Sequence, residues 1–373
     1  MVASKVRRRE FPMSQNSDAH FPTGYRDGRE AFLRACDEAG LGVTSRVHPG
    51  AAGGDGKPLY MDTAGIGPRN AASALLLISG THGVEGYFGS GAQTGLLRRG
   101  LARRVLKGAR IVFLHALNPF GFAWNRRVNE DNADINRNFV DHGNPPENPV
   151  YDALADVISP REISPETMKR ANATLREYAN AHGPFALQEA ISRGQYRHAD
   201  GIYYGGARES WSAAMLQDVF RHELSGVERL TVIDFHTGLG QSGAAEMITE
   251  HLPATPAYAR AKQMWGAAVR SSEGGESLSP PLSGTIDSAM AAWMKGKELT
   301  FAALEVGTAP LRQVFQALQR DNWLHAHGRL DHVLAGPIKT EIRNAFYPDT
   351  AEWKARVFAH AERAVAGAVA ALA

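Results

Sequence analysis

Cysteine is almost absent from this chain of 373 residues: Cys36 stands alone. That excludes an internal disulfide framework and any cysteine-built metal site. Long apolar runs are missing too. No stretch approaches the roughly 18 residues that a transmembrane helix needs, and residues 1–20 lack the apolar centre of a secretory signal. Charge of one sign is not in excess. With 41 Lys and Arg against 39 Asp and Glu the formal net charge is +2, which gives no electrostatic footprint for nucleic acid or an anionic membrane. The run Arg7-Arg8-Arg9 reads as a solvated tail rather than a binding arm. Internal repeats and a clear linker are also missing. A reducing cytoplasm is the default compartment. Residues 1–20 read as a disordered N-terminal tail, with Met13 as an alternative start, and residues 21–373 as one domain. Nothing in the sequence fixes an oligomeric state.

What is present is an alternation of apolar strands and amphipathic helices, in a chain that is 43% hydrophobic and 21% charged, the balance of a globular protein. Residues 28–40 have helical spacing, and 42–48 with 57–63 form a hairpin pattern around Gly53-Gly54-Asp55-Gly56. A buried strand over 72–78, a helix over 86–104 and the strand Ile111-Val112-Phe113-Leu114 make a βαβ unit, which implies parallel pairing. Residues 141–160, rich in Pro, Asn and Asp, read as surface loop. Helices over 163–193, a polar loop over 195–208 and a helix over 209–225 follow. Strands are expected at 230–235, 244–249 and 299–304, and helices at 256–270, 285–295, 309–326, 329–343 and 349–372. The fold class is α/β: a single domain with an open, mainly parallel (mixed) twisted sheet flanked by helices.

The residues able to do chemistry fall just beyond separate buried strands. His82 and Glu85 follow the first, Asn136 and Arg137 lie beyond the second, His236 follows the third and Glu305 ends the fourth. In a parallel sheet these ends share one edge, where ligands bind. Alone, His-x-x-Glu is a weak signal, but a distant second imidazole completes a His, Glu, His set. Such a set leaves a fourth tetrahedral position open for water, the catalytic rather than the structural pattern for zinc. Gly89-Ser90-Gly91 lacks the spacing of a phosphate loop, and nucleotide binding is rejected. His115 reads as a structural histidine, and His198 as a surface-loop residue. Asp234 is either a carboxylate orienting His236 or a strand-end packing residue.

Taken together, His-x-x-Glu, the run Arg127-Val128-Asn129 to Asp134-Ile135-Asn136-Arg137-Asn138-Phe139, the later His236, and Glu305 after an apolar strand resemble the zinc carboxypeptidase-like superfamily. That superfamily includes succinylglutamate desuccinylase and aspartoacylase. The resemblance implies that His82, Glu85 and His236 bind one Zn²⁺ ion and that Glu305 is the general base and later acid. It implies that Arg127 stabilises the oxyanion, with Arg126 as its competitor, and that Asn136 and Arg137 hold the substrate's terminal carboxylate. Gly284-Thr285-Ile286-Asp287 matches a pocket-lining segment, with Ile286 implying an apolar or neutral side-chain pocket. The chain departs from the family at Leu278-Ser279-Pro280-Pro281-Leu282, where a substrate-covering tyrosine is usual; Tyr203 and Tyr204 are the available substitutes. The implied activity is zinc-dependent hydrolysis of an amide, peptide or N-acyl, beside a free carboxylate. An N-acyl amino acid deacylase and a non-catalytic zinc-containing carboxylate-binding protein are the competing readings.

Overall fold

The structure, a computed structural model, describes residues 18–103 and 108–372. The expected tail over 1–17, with the basic run and Met13, lies outside the described residues, as does Arg104. Residues 18–20 do not belong to that tail. Asp18–His20 form a turn of 3-10 helix, pinned where Lys354 pairs with Asp18 and Arg98 donates to the Ala19 carbonyl.

The chain opens with helix α1 (Tyr25–Glu38), the antiparallel pair β1 (Val43–Ala52) and β2 (Pro58–Ile66), then β3 (Ser73–Ser79), α2 (Gly86–Arg98) and β4 (Arg110–His115). A helical excursion follows: α3 (Pro119–Ala123), α4 (Pro149–Ile158), α5 (Pro165–His182), α6 (Pro184–Ser192) and α7 (Trp211–Val219). The second half of the sheet is β5 (Arg229–Ser242), β6 (Ala245–Thr249), α8 (Pro256–Trp265), β7 (Val269–Ser271), α9 (Ile286–Trp293) and β8 (Glu298–Gly307). Helices α10 (Leu311–Ala326), α11 (Ala335–Phe346) and α12 (Ala351–Ala370) close the chain.

The strands form one open sheet in the order β1-β2-β4-β3-β5-β8-β6-β7. Its centre, β4-β3-β5-β8, is parallel, while β2 joins β4 and β6 joins β8 antiparallel. The sheet is therefore mixed, with a parallel heart. Strand β3 explains the arrangement: all seven of its residues are buried. Leu75 and Leu77 point into a core shared with α1, α2 and α12, while Leu76 and Ile78 point into a second core with α7 and α9. An unbroken apolar run of this kind is what a strand covered on both faces requires. Because the four central strands run the same way, Ser79, His236 and Glu305 come out on one edge, and β5 and β8 are in register with His236 opposite Glu305.

Two expectations fail in instructive ways. Residues 149–158 are helical, not loop: Asn148 accepts the Tyr151 N–H and Pro149 occupies the first turn, so the residues that suggested a loop are a helix start. The expected helix over 256–270 ends at Trp265, and Val269–Ser271 form the edge strand β7. Among the described residues no helix is long and apolar enough to cross a membrane.

Candidate metal centre and active site

His82 and Glu85 sit on the short link between β3 and α2, where Gly83–Glu85 make one 3-10 turn. Gly83 is needed there for space: a Cβ would lie 2.0 Å from the Gly121 carbonyl carbon. The link is tied to a second loop, since the N–H groups of Gly83 and Val84 donate to the carbonyls of Arg127 and Arg126. This clasp carries the Arg127 side chain to the His82 and Glu85 side chains. His236 arrives from β5. Donor atoms of His82, Glu85 and His236 all lie within 4.8 Å of one another, in a group of three buried residues that could hold a metal ion.

The residues around this group set its charges. His236 Nε2 lies 2.8 Å from Asp234 Oδ2, and its Nδ1 lies 3.3 Å from Glu85 Oε2. Asp234 also accepts from the Thr81 hydroxyl at 2.9 Å, so it orients His236 rather than merely packing the strand end. Burial pulls the His236 imidazole down, but Asp234 and Glu85 together outweigh it and hold it well above its ordinary range. His82 goes the other way: burial, with Arg127 and His236 adding to it, holds it well below that range. The Arg127 guanidinium donates to Asp134 Oδ2 at 2.9 Å and to Glu85 Oε1 at 3.0 Å, and its Nη2 meets His82 Nε2 at 2.7 Å. Arg126 is turned away, onto Asp321 and Asn132. Asp134, which sequence reasoning had not singled out, also lies 3.3 Å from His82 Nδ1. That nitrogen has no hydrogen-bond partner. Two imidazoles, one of them with an orphaned nitrogen, and a carboxylate are a donor set that suits a divalent transition ion.

Glu305, opposite His236 across the β5–β8 ladder, accepts the Leu239 N–H at 2.9 Å. Gly238 makes this possible: its φ of +123° lies at the start of the register shift between Thr237 and Ser242, a bulge that turns the Leu239 N–H back onto β8. Burial and the Glu85 charge push the Glu305 carboxyl up to about 8, against the pull of His236 and Arg127.

All of these groups open on a cavity of about 460 Å³. Arg137 lines it, but three of its five N–H donors are committed to backbone, bonding the Ser192 and Asn136 carbonyls at 2.6–2.9 Å. Asn136 also lines it; its Oδ1 accepts the Ile286 N–H at 2.9 Å and fixes where α9 begins. Tyr203, not Tyr204, is on the cavity wall. It adopts φ +55°, and its ring centroid lies 5.2 Å from the Arg127 Cζ and 5.7 Å from that of Arg137. Tyr204 instead accepts the Asp134 N–H on its carbonyl at 2.7 Å. The expectation for Ile286 is overturned. Its side chain is fully buried in the core with Met290 and Leu76, and does not line the cavity. Thr285 and Asp287 line it instead.

A family described as "Protein of unknown function (DUF2817)" matches residues 21–360. No curated protein sequence matches the chain. Among solved structures, a putative carboxypeptidase from Burkholderia mallei is similar at 14% identity over 94% of this chain and 70% of that one, with a TM-score of 0.48. Bovine thrombin-activatable fibrinolysis inhibitor is similar at 11% identity over 92% and 98%, with a TM-score of 0.44. An aspartoacylase family protein from Mesorhizobium loti is similar at 15% identity over 78% and 68%, with a TM-score of 0.37.

Proposed function

We propose a function from this premise: the chain belongs to the DUF2817 family, and its cavity joins a metal-competent His82, Glu85, His236 group to Glu305 and Arg127. The reading these residues support best is a zinc-dependent hydrolase that cleaves an amide beside a free carboxylate. The observation that carries it is the convergence of the three donors, from two separate strand ends, beside a carboxylate that has no cation of its own.

A Zn²⁺ ion held by His82, Glu85 and His236 would polarise the scissile carbonyl and lower the pKa of nearby water and of Glu305. Glu305 is the proton carrier. One of its oxygens is held by Leu239 N–H, and the other is free to take a proton from the attacking water and deliver it to the leaving amine. Arg127 already spans Glu85 and His82, so its guanidinium is at hand for the negative charge that develops on the carbonyl oxygen. The uncommitted N–H groups of Arg137 and the Asn136 amide are donors for the substrate carboxylate. Tyr203, stacked beside both arginines, is the polar hydroxyl closest in setting to a substrate-covering role.

The test combines metal analysis with a panel of C-terminal peptides and N-acyl amino acids, with and without chelator. Wild-type protein should carry stoichiometric zinc and hydrolyse part of the panel. Glu305→Gln should keep the metal and lose turnover by about three orders of magnitude or more. Full activity in that variant would end the proton-carrier assignment, and a protein that takes up no metal would end the whole reading.

A further inference from the structure

Away from the metal end of the cavity, each other buried carboxylate among the described residues lies in an ion pair; Asp62 meets Arg29, Glu223 meets Arg110, Glu362 meets Arg99, and Asp321 meets Arg126 and Lys339. Asp287 is the exception. It is 5% exposed and lines the cavity. Its Oδ2 accepts the Glu250 backbone N–H at 3.1 Å, and its Oδ1 has no hydrogen-bond partner among the described residues. Glu250 lines the same cavity. It follows β6, two residues beyond Ile248, which pairs with Ala303 of β8. That places it away from Glu305, on the side of Phe301 and Ala303, which also line the cavity.

No cation among the described residues is within ion-pair distance of either acid. Each feels the other. Burial and the Glu250 charge hold Asp287 well above the carboxylate range. Burial and Glu273 push Glu250 up to about 7, although the Thr285 hydroxyl and the more distant Arg137 pull it down. Glu305, the other cavity acid without an ion pair, faces the metal-competent group, whereas Glu250 and Asp287 face the accessible space on the Phe301 and Ala303 side, a place for a positive charge that comes from outside.

We propose that Glu250 and Asp287 form a cation-recognition subsite, which selects substrates whose carboxylate-bearing half carries a basic side chain, an amide of a lysine- or arginine-like amino acid. The proposal deepens the amide-hydrolase reading and rests on it for the rest of the substrate. An arriving guanidinium or ammonium supplies the counter-charge that the pair lacks, and Thr285 and Thr249 add hydroxyls on the same wall. The competing account is a purely structural pair that shares a proton; such a pair gives no preference among ligands.

Calorimetric titration of the full-length protein with free L-arginine, L-leucine and L-glutamate separates the two. Arginine should bind at least tenfold more tightly than either of the others. In Glu250→Gln and in Asp287→Asn that gap should fall below threefold. Equal binding of all three, a preference for leucine or glutamate, or an arginine preference that survives in both variants would overturn the subsite. Wild-type discrimination alone decides the matter if a variant does not fold. Turnover of the matching N-acetyl amino acids then keeps the two proposals apart. Arginine-selective binding without any turnover refutes the hydrolase and leaves the subsite standing, whereas turnover without arginine preference does the reverse.

Discussion

The two ends of the cavity handle negative charge in opposite ways. At the metal end, Glu85 and Asp134 meet Arg127, and Asp234 meets His236, so that of the four acids there Glu305 alone is without an ion pair and rests on a backbone N–H. At the other end no cation among the described residues is within ion-pair distance of Glu250 or Asp287; the Glu250 N–H donates to Asp287, while the Thr285 hydroxyl and the more distant Arg137 act on Glu250 against the charge of Glu273. Charge balanced from within orients its partners; charge left unbalanced beside an open space is available to a visitor. The contrast also explains why Arg127 and Arg137 serve different ends: Arg127 is pulled onto the metal-binding donors, while Arg137 is tethered to backbone carbonyls and keeps donors to spare.

The severest way to break the contrast is at the balanced end. His236→Ala removes one donor of three and strips Asp234 of its imidazole, so bound metal should fall from near-stoichiometric to almost none by elemental analysis. Retained zinc would mean that the third ligand lies elsewhere. A smaller effect is expected at the unbalanced end, and it depends on pH. The Glu250 carboxyl is raised in the folded chain from 4.5 to about 7. The folded state therefore favours its proton, and the associated stability is present below pH 4.5 and lost as pH rises through 7. Glu250→Gln removes that loss, along with repulsion from Asp287 and Glu273. Its melting temperature should exceed that of the wild type at pH 8, by a few degrees, and the advantage should vanish near pH 4.5. An equal advantage at both values would show that the carboxylate's ionisation is not the cause. The mildest change sharpens the correction at α9. Ile286→Val should cost about 0.5–1.5 kcal/mol of stability, read from denaturant unfolding, with substrate selectivity unaltered; a shift in selectivity would return Ile286 to the cavity wall.

How much of this was legible in the sequence depends on the range of the interaction. The run Leu75 to Ile78, apolar at every position, reads as a buried strand, and the chemistry-bearing residues after such strands share an edge once the pairing is parallel. The choice between Arg126 and Arg127 was not legible, because it turns on Asp321 and Asn132 holding one guanidinium away from the site. Nor was the fate of Ile286. Thr285 caps α9 by accepting the Ser288 N–H, and Asn136 accepts the Ile286 N–H from 150 residues away. Together they set the helix phase. One residue along a helix is a turn of about 100°, enough to send Ile286 into the core and bring Asp287 to the cavity. The acid pair itself joins a β6 extension to that helix, and no local pattern announces it. Asp134 did have a signal, two residues ahead of Asn136 in a run already under suspicion.

The clasp between Gly83, Val84 and the carbonyls of Arg126 and Arg127 has one more consequence. Because the two loops are stitched through their backbones, with Gly83 touching Gly121 so closely that not even a methyl group fits, they can move only as a single piece. Any change in the contacts of Arg127 with Glu85 and His82 must then come from its side chain swinging while the loop stays still, so those contacts can break and re-form without the surrounding architecture rearranging.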